Sequence, residues 1–164
     1  MASNHPAVPN VAADGVWRPD ATVATIVERD GRFLFVEERV SGRLVINQPA
    51  GHLEQGEALV DAAARETLEE TGWIVRPQAL VGIYQWTSRH DGASFLRFTF
   101  CADAVEQLAG AILDRGIERV LWLSRAELEA RREHARSPLV ARGVDDWLAG
   151  RRIPLDSLQC VGAD

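Results

Sequence analysis

Three glutamates, Glu66, Glu69 and Glu70, stand at i, i+3 and i+4 in a stretch rich in alanine, leucine and glutamate. A helix advances about 100° per residue, so the three share one arc of roughly 100°. Val60, Ala64, Thr67, Leu68 and Thr71 then fall on the opposite side and are expected to face the core. Carboxylates this close repel one another by roughly a few tenths of a kcal/mol per pair on an exposed helix. They also raise one another's pKa unless a cation neutralises them. A hard divalent cation with oxygen ligands, such as Mg²⁺, resolves the conflict. All 18 basic residues are arginine. The absence of lysine excludes Schiff-base chemistry, a lysine general base and the lysine of a P-loop. Arginine remains, and its planar fork suits phosphate.

A bare Glu-Glu pair is most simply a solvated helix face. Here the pair is embedded in a longer pattern: Gly51, Glu57, Arg65, Glu66, Glu69, Glu70 and Gly72 fit G-x5-E-x7-R-E-U-x-E-E-x-G-U, where U is aliphatic. With each residue type at about one in fifteen, seven such matches arise by chance with odds on the order of 10⁻⁶. The solvated-face reading does not survive that comparison.

These residues need a scaffold to position them. The chain has 164 residues, 46% of them hydrophobic and 26% charged, which suits one globular domain. No apolar run approaches a membrane span, and no basic patch with an apolar core marks a secretory signal. Cys101 and Cys160 make no metal or redox spacing and fit a reducing cytoplasm. A net charge of −6 argues against a nucleic-acid polymer as partner. A polyanionic small molecule needs a cation to accompany it.

The segment 1–20 reads as a flexible leader, 21–158 as the domain and 159–164 as a tail. Strands are expected at Thr22–Glu28 and Arg32–Val40, flanking the hairpin signal Asp30-Gly31, with a short continuation at Arg43–Ile46. Asn47–Glu57 holds Pro49, Gly51 and Gly56 and is expected to be largely loop. Ala58–Thr71 is expected as helix, stopped by Gly72. Further strands are expected at Ala79–Trp86, Phe95–Val105 and Glu118–Leu123. Ser124 with Glu127 forms a capping box for a short helix. Ser137, followed by Pro138, opens a last helix that Gly150 ends. The expected class is mixed α/β, without alternating βαβ units.

The seven-residue pattern resembles the signature of the Nudix hydrolases. Thr67 and Trp73 depart from the family's aliphatic preference at two packing positions. The resemblance implies an α/β/α sandwich with a mixed β-sheet, and metal-dependent cleavage of a phosphoric anhydride in a small phosphorylated metabolite, with Mg²⁺ as cofactor and Mn²⁺ as a substitute. By motif position, Glu66, Glu69 and Glu70 are the implied metal ligands, joined by the carbonyl of Ala50. Arg65 would orient them, Glu57 would support the loop, and Gly51 and Gly72 would be structural. Flanking words resemble one branch, the NudJ-type Nudix phosphatases: Asn47 to Glu54, Gln85-Trp86, Phe95 to Phe98, and Arg136 to Val140. That branch implies orthophosphate release from nucleoside tri- and diphosphates, and from hydroxymethylpyrimidine pyrophosphate and thiamine pyrophosphate.

Outside the box, Glu118 is either a further metal ligand or general base, or a strand-end charge paired with Arg119 or Arg115. Trp86 either stacks on a substrate ring or sits in the core. Arg97 is either a phosphate clamp or a surface arginine. His52 and Gln48 are candidates for substrate contact, and Cys101 is an inert strand residue. The implied unit is a monomer or homodimer with no membrane partner. Two other functions compete. A Nudix pyrophosphatase acting on ADP-ribose or a dinucleoside polyphosphate often carries a marker proline or tyrosine beyond the box, and Ser88 to Asp91 hold neither. A non-catalytic nucleotide-binding module usually loses box glutamates, which this chain keeps.

Overall fold

The computed structural model describes residues 10, 12 and 14–162. Strand β1 (Asp20–Arg29) turns at Asp30-Gly31 into β2 (Arg32–Val40). Both turn residues have positive φ, 53° and 74°, the mirror-image turn that matches strand twist. The two strands pair only next to the turn, at Glu28↔Phe33 and Arg29↔Arg32, and then part. β3 (Arg43–Asn47) pairs with the far end of β2. β4 (Ala50–His52) pairs with the far end of β1. The segment expected to be loop thus contains a three-residue strand, whose edge is satisfied by Thr22, Val23 and Ala24. Asn47, Ala50 and Gly51 are carried into the opening between β1 and β2 in this way.

Helix α1 (Leu59–Thr71) follows, then β5 (Trp73–Thr87) and β6 (Ser94–Gln107), paired antiparallel along their length. β5 starts six residues before the expected Ala79, because Pro77 is absorbed at a register irregularity instead of breaking the strand. β6 runs parallel to β1, β7 (Ile117–Leu123) pairs with β2, and β8 (Ile153–Pro154) pairs with β5. The result is a mixed sheet of order β3-β2-β1-β6-β5-β8. α2 (Arg125–Glu129) opens on the expected Ser124–Glu127 capping box. α3 spans Leu139–Leu148, with the Leu139 N–H bonded to Ser137 Oγ at 3.2 Å.

Helices cover both faces, as the sandwich reading requires. On one, Ala62 and Ala63 of α1 pack on Val23, Leu80 and Phe100. On the other, Leu128, Val140 and Val144 pack on Ile26, Phe33 and Phe35. Each large side chain removed from water contributes about 1.5–3 kcal/mol. The buried arc of α1 is Ala62, Ala63, Glu66, Thr67, Glu70 and Thr71. Of the expected core face Thr67 and Thr71 are buried, Val60 and Ala64 pack at its margin, and the arc is rotated toward Glu66 and Glu70. Two alanines let the helix approach β1 closely, and Thr25 Oγ1 donates to Ala63 O at 3.1 Å. Thr67 suits this position, because its buried hydroxyl donates to Ala63 O at 2.7 Å. Of the expected leader, 1–9, 11 and 13 lie outside the described residues. Asn10 bonds to Asp20 and to the Ser94 N–H. No helix among the described residues is long and apolar enough to cross a membrane.

Candidate active site

Gly72 ends α1 in the left-handed region (φ 71°), its N–H bonded to Leu68 O. Gly51 of β4 lies beneath Glu66: a Cβ there would stand 2.1 Å from the Glu66 carboxyl carbon. A residue without a side chain is what allows that carboxylate to rest on the backbone.

Arg65 organises the rest. Its Nε and Nη2 donate to the two oxygens of Glu57 at 2.7 and 2.9 Å, a side-by-side fork. Nη1 donates to Glu66 Oε1 at 2.8 Å and Glu69 Oε2 at 2.9 Å, while Nη2 also reaches His52 O at 3.2 Å. One guanidinium therefore fixes three carboxylates and the β4 backbone. The fork with Glu57 holds Arg65 above its usual range and Glu57 below its own.

Glu70 has no such partner. Its Oε2 accepts the Ala50 N–H at 2.8 Å, and the residue is only 9% exposed. Burial pushes its carboxyl up to about 8; the Ala50 N–H opposes the rise, and Glu38, Glu66 and Asp114 add to it. Burial raises Glu66 as well. The glutamates are thus not the exposed face expected from helical spacing; Glu66 and Glu70 are tucked against β4. Among the described residues no three acidic, histidine or cysteine side chains converge on one point. Glu66 and Glu69 are turned onto Arg65, and Glu70 onto the Ala50 amide. A buried, incompletely compensated set of carboxylate oxygens is nevertheless the donor chemistry that a hard divalent cation satisfies.

A cleft of about 460 Å³ leads from Glu70 and Ala50 past Asn47 and Arg97 to Trp86 and Arg136. Arg97 is not a surface arginine: it is 7% exposed. Its Nη2 donates to Asn47 Oδ1 at 3.2 Å, and its Nε has no partner. Burial, then the nearby Arg136 charge, brings its pKa down to about 10. Trp86 is a half-buried wall residue stacked on Phe95, with ring centroids 5.5 Å apart. His52 is exposed and also lines the cleft. Cys101 is buried.

Of the expected residues, Arg65, Glu66 and Glu69 join the box without lining the cleft, and Gln48 and Glu118 belong to neither. Gln48 is 2% exposed and donates to Val140 O at 2.7 Å, tying the loop to α3. Its neighbour Asn47 faces the cleft instead. Glu118 pairs with Arg39 Nε at 2.9 Å. The register runs from Glu37↔Arg119 to Glu38↔Ile117, so Glu118 is the extra residue of a bulge and is aimed away. The acid near the cluster is Asp114, whose N–H bonds to Glu69 O at 3.0 Å and whose charge acts on Glu66 and Glu70. No sequence pattern singled out Asp114 or Glu38. Asn47 and Arg136 did stand in the words that resembled one Nudix branch.

The fold and this box are those of a metal-assisted phosphoanhydride hydrolase. A family model described as the NUDIX domain matches residues 17–143, and the chain belongs to that family. It is 40% identical over 143 residues to "Phosphatase NudJ" of Shigella boydii and of Escherichia coli K12, covering 87% of this chain and 92% of each relative. A solved "NUDIX hydrolase from Nitrosomonas europaea" superposes with a TM-score of 0.86 at 45% identity, covering 88% of this chain and 98% of that one. A UDP-X diphosphatase structure at 16% identity and TM-score 0.66 shares the fold alone. The chain is a Nudix hydrolase, and hydrolases of this family work with a divalent metal on small phosphorylated substrates.

Proposed function

We propose that this chain is a Mg²⁺-dependent phosphohydrolase, with Mn²⁺ able to substitute. Its products would be orthophosphate and the shortened phosphate ester. The substrates would be nucleoside tri- and diphosphates and thiamine-type pyrophosphates, namely hydroxymethylpyrimidine pyrophosphate and thiamine pyrophosphate. One observation carries the reading: a single cleft has the buried Glu70 carboxylate of the box at one end and a buried arginine without an ion-pair partner among the described residues further along it. The curated relatives named as phosphatases support it. Both cysteines are free, which suits a cytoplasmic enzyme.

Glu66, Glu69 and Glu70, with the Ala50 carbonyl, would hold the cation. When bound, it supplies Lewis acidity at the phosphoryl oxygens. Arg65 keeps Glu66 and Glu69 in place, and Glu57 locks Arg65 to the loop. A carboxylate of this cluster takes the proton from the attacking water, a task suited to groups whose pKa burial has raised. Arg97 offsets charge on the phosphate chain, His52 borders its entrance, and Trp86 offers a face to the organic ring.

The test is a panel of phosphorylated metabolites with orthophosphate and pyrophosphate measured in parallel. Orthophosphate from both nucleoside diphosphates and the thiamine-type pyrophosphates is expected. Pyrophosphate release from a triphosphate, or two nucleotide products from ADP-ribose, would replace this reading with the pyrophosphatase. No turnover with Mg²⁺ anywhere on the panel would point to a binding module.

A further inference from the structure

We propose that Arg97, Asn47 and Arg136 form a metal-independent seat for the phosphate that stays on the organic product, with Glu38 as the internal counter-ion that this phosphate displaces. The assignment rests on the proposed phosphatase reading and names a subsite within the same cleft. Arg97 starts the argument. A buried guanidinium is costly unless it is paired, yet among the described residues Arg97 makes no ion pair, and its Nε donates to nothing. Its one partner is the neutral Asn47 Oδ1.

Two carboxylates act on Arg97 from a distance, Glu70 of the box and Glu38, and Glu38 is already shared. Glu38 Oε1 accepts from Asn47 Nδ2 at 3.2 Å, and Oε2 accepts from Arg136 Nη1 at 2.6 Å. Glu38 is set at the β2–β7 bulge, a feature that re-aims side chains. The chain Arg97–Asn47–Glu38–Arg136 therefore holds two cations and one anion. An incoming phosphate supplies the missing charge and can take over the Arg136 bond.

Strand order says which phosphate. Across the cleft the register runs His52 on β4, Thr22 on β1, Arg97 on β6 and Tyr84 on β5, with Trp86 two residues further along β5. Strands stand about 4.8 Å apart, so Arg97 is about 10 Å from β4 and one strand from Trp86. A phosphate at Arg97 has the glutamate cluster on one side and the Trp86–Phe95 stack on the other. That is the position of the inner phosphate, between the terminal phosphate and the ring.

The test is calorimetric titration of the full chain with AMP, and with adenosine as control, in excess chelator. AMP is expected to bind measurably and adenosine far more weakly. Arg136→Gln, at a partly exposed position, should weaken AMP binding by about tenfold or more, the value of a hydrogen bond to a charged group. Glu38→Gln should tighten it several-fold, an outcome no purely structural role produces. Arg97→Gln should abolish it, and the other two variants carry the test if this one does not fold. Equal binding of AMP by wild type, Arg136→Gln and Glu38→Gln, or equal binding of adenosine and AMP, overturns the seat. Metal-free AMP binding without orthophosphate release under turnover conditions would sink the reaction assignment and leave the seat standing. Orthophosphate release without that binding sinks the seat alone.

Discussion

The two ends of the cleft differ in how their charges are met. At the α1 end, Arg65 satisfies Glu57, Glu66 and Glu69 through one guanidinium, and the residual strain is negative, on the buried Glu70. At the β6 end the residual is positive: Arg97 is buried with one neutral hydrogen-bond partner, and the Glu38 carboxylate beside that partner is held by Asn47 and Arg136. A lone cation relieves the first end and a lone anion the second. A phosphate chain arriving with a divalent cation relieves both, which makes the pair of defects a specification for the ligand. The first end is built almost wholly within one helix and its preceding loop. The second draws on β2, β3, β6 and the approach to α3.

The comparison breaks most sharply if the negative end needs no cation. Excess chelator is expected to abolish turnover, read as orthophosphate release, and addition of Mg²⁺ to restore it. Next is Glu70→Gln. Activity should fall on the order of 10²–10³-fold, as when one preorganised charged group is removed from a site. The same variant exposes the electrostatic strain in the metal-free protein. The folded Glu70 carboxyl lies near 8 against an ordinary 4.5, so folding favours its protonated form. The resulting contribution to stability is full below about 4.5 and is lost as pH rises through about 8. Thermal melts in chelator should show wild type losing stability relative to Glu70→Gln over that window. Parallel curves would mean that Glu70 is not strained.

Gly51→Ala sharpens the claim about placement. The added methyl meets the Glu66 carboxylate, and a displacement of about 1 Å can cost on the order of 100-fold in kcat. A near-wild-type kcat would show that Glu66 need not lie there. The smallest effect is expected at the far end of the cleft. Trp86→Ala should raise KM for ringed substrates by about tenfold, within the 1–3 kcal/mol of a stacked base, with kcat changed less. An equal loss in kcat would move Trp86 from ring contact to support of the fold.

The α1 end was legible in the sequence because its geometry is local. Seven residues at fixed spacing on a loop and one helix place Arg65 among its carboxylates without help from the rest of the chain. The mixed sandwich was also legible, since strand runs, Asp30-Gly31 and the Ser124–Glu127 box are short-range signals. Non-local register was not. Gln48 and Asn47 are neighbours, and nothing within the loop says which one faces the cleft; the β3–β4 geometry and α3 decide that. Glu118 stood at an attractive strand start, but the bulge aims it at Arg39 and leaves Asp114 beside the cluster. The depth of Glu66 and Glu70 followed from the close approach permitted by Ala62 and Ala63, where helical spacing alone suggested an open face.

The central claim is that water attacks the terminal phosphorus while the inner phosphate stays on the organic product. ADP hydrolysed with Mg²⁺ in ¹⁸O-enriched water tests this directly, because both possible attack sites yield AMP and orthophosphate but place the oxygen differently. One ¹⁸O in orthophosphate and none in AMP is the result the account predicts. Label in AMP would place the attack on the inner phosphorus and contradict it.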